Sequence, residues 1–163
     1  MTLSIASKEE LPIVRDLAYK IWPETYGATH TQAELDYMLS KFYAVESLES
    51  QLDKGHVFVL VKENGVHLGF VSYEINSENT TKTKIHKLYV LPETQGKGIG
   101  KMLVDYVKKE ALSNRNSNLF LNVNKLNKAQ YFYTKYGFSI TQDIIIDIGN
   151  GYVMDDYVME FKL

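Results

Sequence analysis

Ile85-His86-Lys87-Leu88-Tyr89-Val90-Leu91-Pro92-Glu93-Thr94-Gln95-Gly96-Lys97-Gly98-Ile99-Gly100-Lys101-Met102-Leu103 decides how this chain is read. Residues 85–90 have the composition of a strand, and residues 95–100 form a glycine-rich turn. Leu103, Tyr106, Val107 and Ala111 then recur at helical spacing. A strand that passes through glycines into a helix builds an anion pocket. The first N–H groups of the helix have no partner within it, and the helix dipole adds partial positive charge. Glycines let the backbone approach a pyrophosphate closely, and Lys97 and Lys101 add cationic charge.

The spacing narrows the choice of anion binder. A P-loop needs four residues between its glycines and then Lys-Ser/Thr; here the glycines alternate and Met102 follows Lys101. A dinucleotide fingerprint needs Gly or Ala where Lys101 stands, and an acidic residue about 20 residues on. The chain reads Asn118-Leu119-Phe120 there.

The stretch Leu88 to Leu103 resembles the acyl-CoA pyrophosphate motif of the GNAT superfamily of acetyl-CoA-dependent N-acetyltransferases. Asn122-Val123-Asn124, Asn127, Ala129 and Phe132-Tyr133-Thr134-Lys135-Tyr136-Gly137-Phe138 are similar to the same family's downstream CoA-arm segment, in the family's order and separation. The resemblance implies that the backbone of Leu88, Tyr89 and Val90 bonds the pantetheine arm. It implies that Gln95, Gly96, Lys97, Gly98, Ile99, Gly100 and Lys101 hold the pyrophosphate. Asn122, Asn127 and Ala129 match positions that contact the arm, and Tyr133 matches the general acid for the departing thiolate. Each has a plainer reading as well: Leu88 and Val90 as core strand residues, Tyr133 as packing, Asn127 as a helix N-terminal polar residue.

The general base is where the family pattern stops. An alkylammonium has a pKa of about 10 and must lose a proton before attack. The family often uses a carboxylate on the strand before the glycine turn, but Lys82 to Val90 contains no Asp or Glu. His86 is the titratable residue there suited to base chemistry near neutral pH, and Glu24 is the alternative. The acceptor site is expected from the first two helices and their loop. Trp22, Glu24, Tyr26, Tyr37 and Met38 form an aromatic and acidic set suited to a cationic amine. The Trp22-Pro23-Glu24-Thr25-Tyr26-Gly27 stretch resembles family members that acetylate polyamines or other small amines.

Composition agrees with an enzyme of this kind. Residues 1–163 are expected to form a single acetyltransferase domain. The formal net charge of −2 gives no basic field for nucleic acid and no basic face for a membrane. No apolar run approaches the roughly 20 residues that span a bilayer. The absence of cysteine excludes a cysteinyl acyl-enzyme and, with no visible secretory signal, fits the cytoplasm. No histidine pair stands at i, i+4 spacing with a carboxylate, so no metal is expected.

Along the chain, Leu3 to Ile5 reads as a strand, and Ser7 with Glu10 as a capping box ahead of a helix on Leu11, Val14, Ala18 and Ile21. The Trp22-Pro23-Glu24-Thr25-Tyr26-Gly27 stretch is expected to break that helix. Thr31 with Glu34 opens a second helix, and Ser47 to Leu52 a short third. His56 to Val61 and His67 to Ile75 pair through Asn64-Gly65. Lys82 to Val90 follows, with Ile85, Lys87 and Tyr89 on the face opposite His86, Leu88 and Val90. Leu119 to Val123 is a strand and Lys125 to Tyr136 a helix ended by Gly137. Phe138 to Ile148 and Tyr152 to Leu163 are antiparallel strands. This order predicts an α/β (α+β) fold, GNAT-like: a mixed, mostly antiparallel sheet of about seven strands with helices on both faces. In the family the strands flanking the glycine-turn helix are parallel and splay apart.

The expected activity is transfer of an acetyl group from acetyl-CoA to a primary amine of a small, polyamine-like molecule by direct sequential attack. A non-catalytic acyl-CoA-binding module on the same fold and a peptide or protein N-terminal acetyltransferase are the alternatives. A homodimer is compatible with the long C-terminal strands.

Overall fold

The computed structural model describes residues 1–163. Strand β1 (Thr2–Ile5) leads through a 3-10 turn at Lys8–Glu10 into helices α1 (Leu11–Tyr26), α2 (Gln32–Tyr43) and α3 (Val45–Asp53). Strands β2 (Val57–Glu63), β3 (Val66–Glu74) and β4 (Lys82–Val90) follow, then α4 (Ile99–Ser113), β5 (Asn118–Asn124), α5 (Ala129–Tyr136), β6 (Ser139–Gly149) and β7 (Tyr152–Lys162). The seven strands form one sheet in the order β1-β2-β3-β4-β5-β7-β6. Every neighbouring pair is antiparallel except β4 and β5, which are parallel.

Both helix faces can be read from the side chains. Tyr73 of β3 meets Tyr106 of α4, whereas Phe70 of β3 meets Tyr43 of α2. Positions 70 and 73 differ in parity and so point to opposite faces of a strand. The helices thus sandwich the sheet, and 35 buried apolar residues from helices and strands join in one continuous core.

Three local differences from the expected elements shape the site. First, α1 does not break at Pro23 but runs on to Tyr26, and Gly27 N–H closes it on the Pro23 carbonyl at 2.8 Å. Pro23 forfeits one backbone hydrogen bond, whereas Ile21, Trp22 and Tyr26 are all buried around it. Tertiary packing outweighs the local cost. Second, α5 begins at Ala129, not Lys125. Asn124 accepts from Leu126 N–H at 2.9 Å and Asn127 from Ala129 N–H at 2.8 Å. These asparagine turns compete with the helix until residue 129.

Third, β4 is not regularly alternating. Ser72 pairs with Lys87 but Tyr73 pairs with Ile85, so His86 is an extra residue in β4. This bulge reverses the alternation beyond it. Ile85 shares a face with Tyr73 and α4, while Lys87 lies over the rings of Tyr43 and Phe58 on the opposite face. The expectation that Ile85, Lys87 and Tyr89 share a face is corrected accordingly. Pairing of β4 with β5 runs from Lys82↔Asn118 to Ile85↔Leu121 and stops there, one residue before the bulge. From His86 onward β4 bends away, and the parallel pair opens into a gap.

Candidate active site

Two cavities flank this gap. The larger, about 1090 Å³, is bordered by the end of β4, the glycine turn, the first turns of α4, and α5. The smaller, about 380 Å³, is bordered by α1, α2, β4, β5, and the inner face of β6 and β7. Leu88, Tyr89, Asn127, Ala129 and Tyr133 line both, so the cavities meet at the opening between the splayed strands.

The larger cavity is built as an anion and amide binder. Gly96 (φ +87°) and Gly98 (φ +78°) take left-handed conformations that a side chain disfavours, and Gly98 caps the N-terminus of α4. A Cβ on Gly100 would stand 3.2 Å from the Phe132 ring, so this glycine lets α4 pack on α5. Leu91 N–H bonds the Leu68 carbonyl of β3 at 2.8 Å. Backbone groups alternate along a strand, so the N–H groups of Leu88 and Val90 face away from β3, into the gap. Lys101, Lys108, Lys128 and Lys135 border the same cavity. Lys101 is paired with Asp105 at 2.8 Å, and Asp105 also accepts from Tyr136 at 2.6 Å. Coenzyme A is a long chain of amides ending in phosphates. Unpaired strand N–H groups, a helix N-terminus without Cβ atoms, and flanking lysines fit it in that order.

Of the residues expected at the cofactor, Leu88, Tyr89, Val90, Gln95, Gly96, Gly98, Ile99, Gly100, Lys101, Asn127 and Ala129 line this cavity. Ile99 is buried, which leaves its backbone N–H as the available group. Lys97 is exposed and outside the lining, and Asn122 lies on the smaller cavity. Asn127 is already engaged at both ends of its amide, donating to the Tyr26 hydroxyl at 3.2 Å and accepting from Ala129. Lys108, Lys128 and Lys135 were not singled out in the sequence; only the packing of α5 against α4 gathers them.

Tyr133 is buried in α5, one turn before Gly137, and its side chain reaches both cavities. Burial pushes its phenol above the ordinary range, so it holds its proton at neutral pH.

The smaller cavity has an aromatic wall. Trp22 and Tyr26 are one turn apart on α1, with ring centres 4.8 Å apart, and Tyr89 and Tyr43 pack on Trp22 at 5.7 and 5.5 Å. The Tyr26 and Tyr89 hydroxyls bond at 2.9 Å. Met38 joins this lining. Glu24 does not: helix periodicity carries it about 200° around α1 from Trp22, onto the larger cavity. Tyr37 does not either. Its hydroxyl donates to the Ile148 carbonyl at 2.5 Å and its ring packs on Tyr152, tying α2 to the β6–β7 hairpin.

His86 lines the smaller cavity, but its Nε2 lies 3.0 Å from Glu74 Oε1. Burial raises Glu74, yet hydrogen bonds from His86 and Ser77 outweigh it and hold the carboxyl below its ordinary value. An ionised carboxylate only accepts, so Nε2 carries the proton. Burial first, and then His56, push His86 well below its ordinary value. The proton-acceptor role expected of His86 therefore meets a ring of reduced basicity that is held by Glu74. His56, Glu74 and His86, distant in sequence, place their donor atoms within 4.8 Å of one another. The two imidazoles are stacked, 3.9 Å apart and 12° from parallel. An ion between them would sit well out of both ring planes, although Zn–N bonds of about 2.0–2.1 Å lie in the plane of the ring. The arrangement suits a hydrogen-bonded pair, not a metal centre.

The cavity also holds a residue that the sequence reading passed over. Asp156 of β7 is 2% exposed and borders the smaller cavity. Met154, Asp156 and Val158 share one face of β7. An acid interrupting an inward apolar stripe is the signal that could have revealed it.

Comparison with known proteins agrees with this geometry. Residues 26–159 match the family described as "Acetyltransferase (GNAT) domain". The chain is similar to the peptidyl-lysine N-acetyltransferase YjaB of Salmonella typhimurium, 30% identical over 140 residues that span 81% of this chain and 82% of that protein. Its fold is similar to that of the PaiA N-acetyltransferase from Thermoplasma acidophilum in complex with coenzyme A. The TM-score is 0.80 at 24% identity, over 100% of both chains. It is also similar in fold to a GCN5-related N-acetyltransferase from Rhodopseudomonas palustris, with a TM-score of 0.83 at 19% identity over 99% of this chain and 95% of that one.

Proposed function

This chain belongs to the GNAT acetyltransferase family and is an acetyl-CoA-dependent N-acetyltransferase, and from that premise we propose that it acetylates a primary amine carried on a slender aliphatic chain. The observation that carries this reading is the meeting of two cavities at Leu88, Tyr89, Asn127, Ala129 and Tyr133. One cavity suits an acyl-CoA, and the other, about 380 Å³, is an aromatic pocket that meets it.

Acetyl-CoA supplies an activated acyl group. The remaining roles fall to the protein. The Val90 N–H, directed into the gap, is the donor for charge developing on the acyl oxygen. Such a preorganised donor is worth roughly 10²–10³ in rate. Tyr133, protonated and reaching both cavities, is the proton donor to the departing sulfur. A thiolate is a fair leaving group, so this assistance is secondary. Gly96, Gly98, Gly100 and the first N–H groups of α4 hold the pyrophosphate, with Lys101, Lys108, Lys128 and Lys135 around it. Trp22, Tyr26 and Met38 wall the acceptor. Residues 1–163 act as one acetyltransferase domain, a reading supported by the single core.

The aromatic wall supports a small amine as acceptor. A second reading, the side chain of a peptidyl lysine, is favoured by the likeness to YjaB. Thiol release from acetyl-CoA separates them, and this chain has no cysteine to contribute background. Spermidine, free amino acids, Nα-acetyl-lysine amide and lysine-containing peptides form the panel. Turnover on free amines alone supports the first reading, and turnover on lysine peptides the second. Release with peptides whose only amine is the N-terminus would overturn both.

A further inference from the structure

Asp156 stands out among the carboxylates because it is buried without a partner. It is 2% exposed, yet its carboxylate takes no hydrogen bond or ion pair from the chain. Other acids near it are engaged or at the surface. Asp143 and Asp155 share Lys125, and Glu160 pairs with Lys82 at 2.7 Å. A buried carboxylate without compensation is costly, and chains retain one only where something offsets the cost. The side chain borders the cavity walled by Trp22, Tyr26 and Tyr133. Resting on the acetyl-transfer reading, we propose that Asp156 binds the ammonium group of the acceptor in this cavity and takes its first proton.

The step balances. The ammonium passes one N–H proton to the Asp156 carboxylate, leaving a neutral amine and a carboxylic acid. The amine lone pair forms the C–N bond as the C–S bond of the thioester breaks. The second N–H proton neutralises the departing thiolate by way of Tyr133.

The surrounding charges define the acceptor class. Lys84 and Lys87 border the same cavity. Lys87 donates to Gln51 at 2.7 Å and has no carboxylate partner. A polyamine would bring a second ammonium toward these cations. A chain with one positive charge, such as a monoamine or a lysine side chain, meets Asp156 without that repulsion. This narrows the polyamine-like expectation drawn from the Trp22-to-Gly27 stretch.

Asp156 is poised for proton transfer. Burial first, and then Asp155, raise its carboxyl to about 6, while Lys84 and Lys125 oppose the shift. The other titratable groups around the cavity are Tyr26 on α1, His30 after it, Tyr43 on α2, His56 ahead of β2, His86 and Tyr89 on β4 with Lys84 and Lys87, and Tyr133 on α5. Strand β6 contributes only Ile146 and Ile148.

The test reads binding and turnover separately. Trp22 is the only tryptophan of the chain and lies in the cavity wall, so its fluorescence reports occupancy without chemistry. Nα-acetyl-lysine amide and spermidine are titrated into the wild type and Asp156→Asn, and acetyl-CoA binding is followed by calorimetry. The proposal expects a saturable signal in the wild type, with the lysine derivative ahead of spermidine. In Asp156→Asn it expects at least a tenfold weaker acceptor affinity and unchanged acetyl-CoA affinity. The acid limb of kcat/KM near pH 6 should vanish in the variant, and its residual rate should climb toward alkaline pH as free amine accumulates. Equal acceptor affinity in both proteins, or an unchanged acid limb, overturns the assignment. Asp156-dependent binding without turnover of any amine would leave the binding role standing and sink the acetyl-transfer reading instead.

Discussion

In the proposed mechanism one environment tunes Tyr133 and Asp156 to opposite tasks. Burial disfavours the charged form of each. For Tyr133 that means a retained proton, as a donor needs; for Asp156 it means a carboxyl that exchanges its proton near neutrality. Tyr133→Phe removes the donor and little volume. It should lower kcat by roughly 10- to 1000-fold with little change in the KM for acetyl-CoA. Steady-state kinetics checks this, and an unchanged kcat would leave Tyr133 a packing residue. Asp156 carries a second, thermodynamic signature. Its folded-state value lies above the ordinary 3.8, so the folded chain holds this proton more tightly than the unfolded chain does. Well below 3.8 the group is protonated in both states and costs nothing. As pH rises toward and through about 6 the folded state must carry an unpaired anion, and stability falls. Asp156→Asn should therefore raise stability at pH 8 by on the order of 2 kcal/mol and leave it unchanged near pH 3. Chemical denaturation at the two pH values decides. A variant less stable at pH 8 would mean that the carboxylate is satisfied.

At the scale of elements, the bulge at His86 makes the site. It ends the β4–β5 ladder, frees the N–H groups of Leu88 and Val90, and turns Lys87 and Tyr89 toward α1 and α2. Strand β3 must follow this bend closely, and Gly69 is where it does so. A Cβ there would stand 2.6 Å from the Tyr89 carbonyl oxygen and 3.0 Å from the Val90 Cα. Both atoms belong to backbone and cannot rotate away. Gly69→Ala should destabilise the protein by about 1–3 kcal/mol. It should also reduce kcat, because it shifts the strand end that carries the Val90 donor. Thermal unfolding and turnover together check this. A stability loss with full kcat would separate the bend from the chemistry.

At the scale of the whole molecule, the larger cavity is bordered by β4, α4 and α5, and α5 meets α4 at Phe132 against Gly100 and at Tyr136 against Asp105. A ligand that binds across them and only to the folded chain stabilises all of it. Coenzyme A at about 100 times its Kd should add ~2.7 kcal/mol, or roughly 5–10 °C in Tm for a protein of this size. Gly98→Glu is the control. It puts bulk and negative charge at the N-terminus of α4, so the ligand-dependent shift should disappear while the circular dichroism spectrum stays native. A retained shift would move the pyrophosphate away from this turn.

The glycine turn, the Tyr133 register, the capping pair Thr31–Glu34 and the order of strands and helices along the chain were legible in the sequence because each is local. Periodicity, turn chemistry and motif spacing act over a few residues, and neighbours in the chain supply the physics. The acceptor half of the site was much less so. That α1 continues through Pro23, removing Glu24 from the acceptor cavity, was decided by the burial of Trp22 and Tyr26. That Tyr37 braces the β6–β7 hairpin was decided by a carbonyl 111 positions away in the chain. Glu74 beside His86, and Asp156 facing an aromatic wall on α1, are meetings of distant strands and helices. Sequence alone determined the family of fold and the strand, glycine turn and helix on which the proposed acyl-CoA site rests, because a backbone-built pocket is written in consecutive residues. The residues proposed to meet the amine were brought together only by the tertiary structure, because burial and partner choice are properties of the packed molecule.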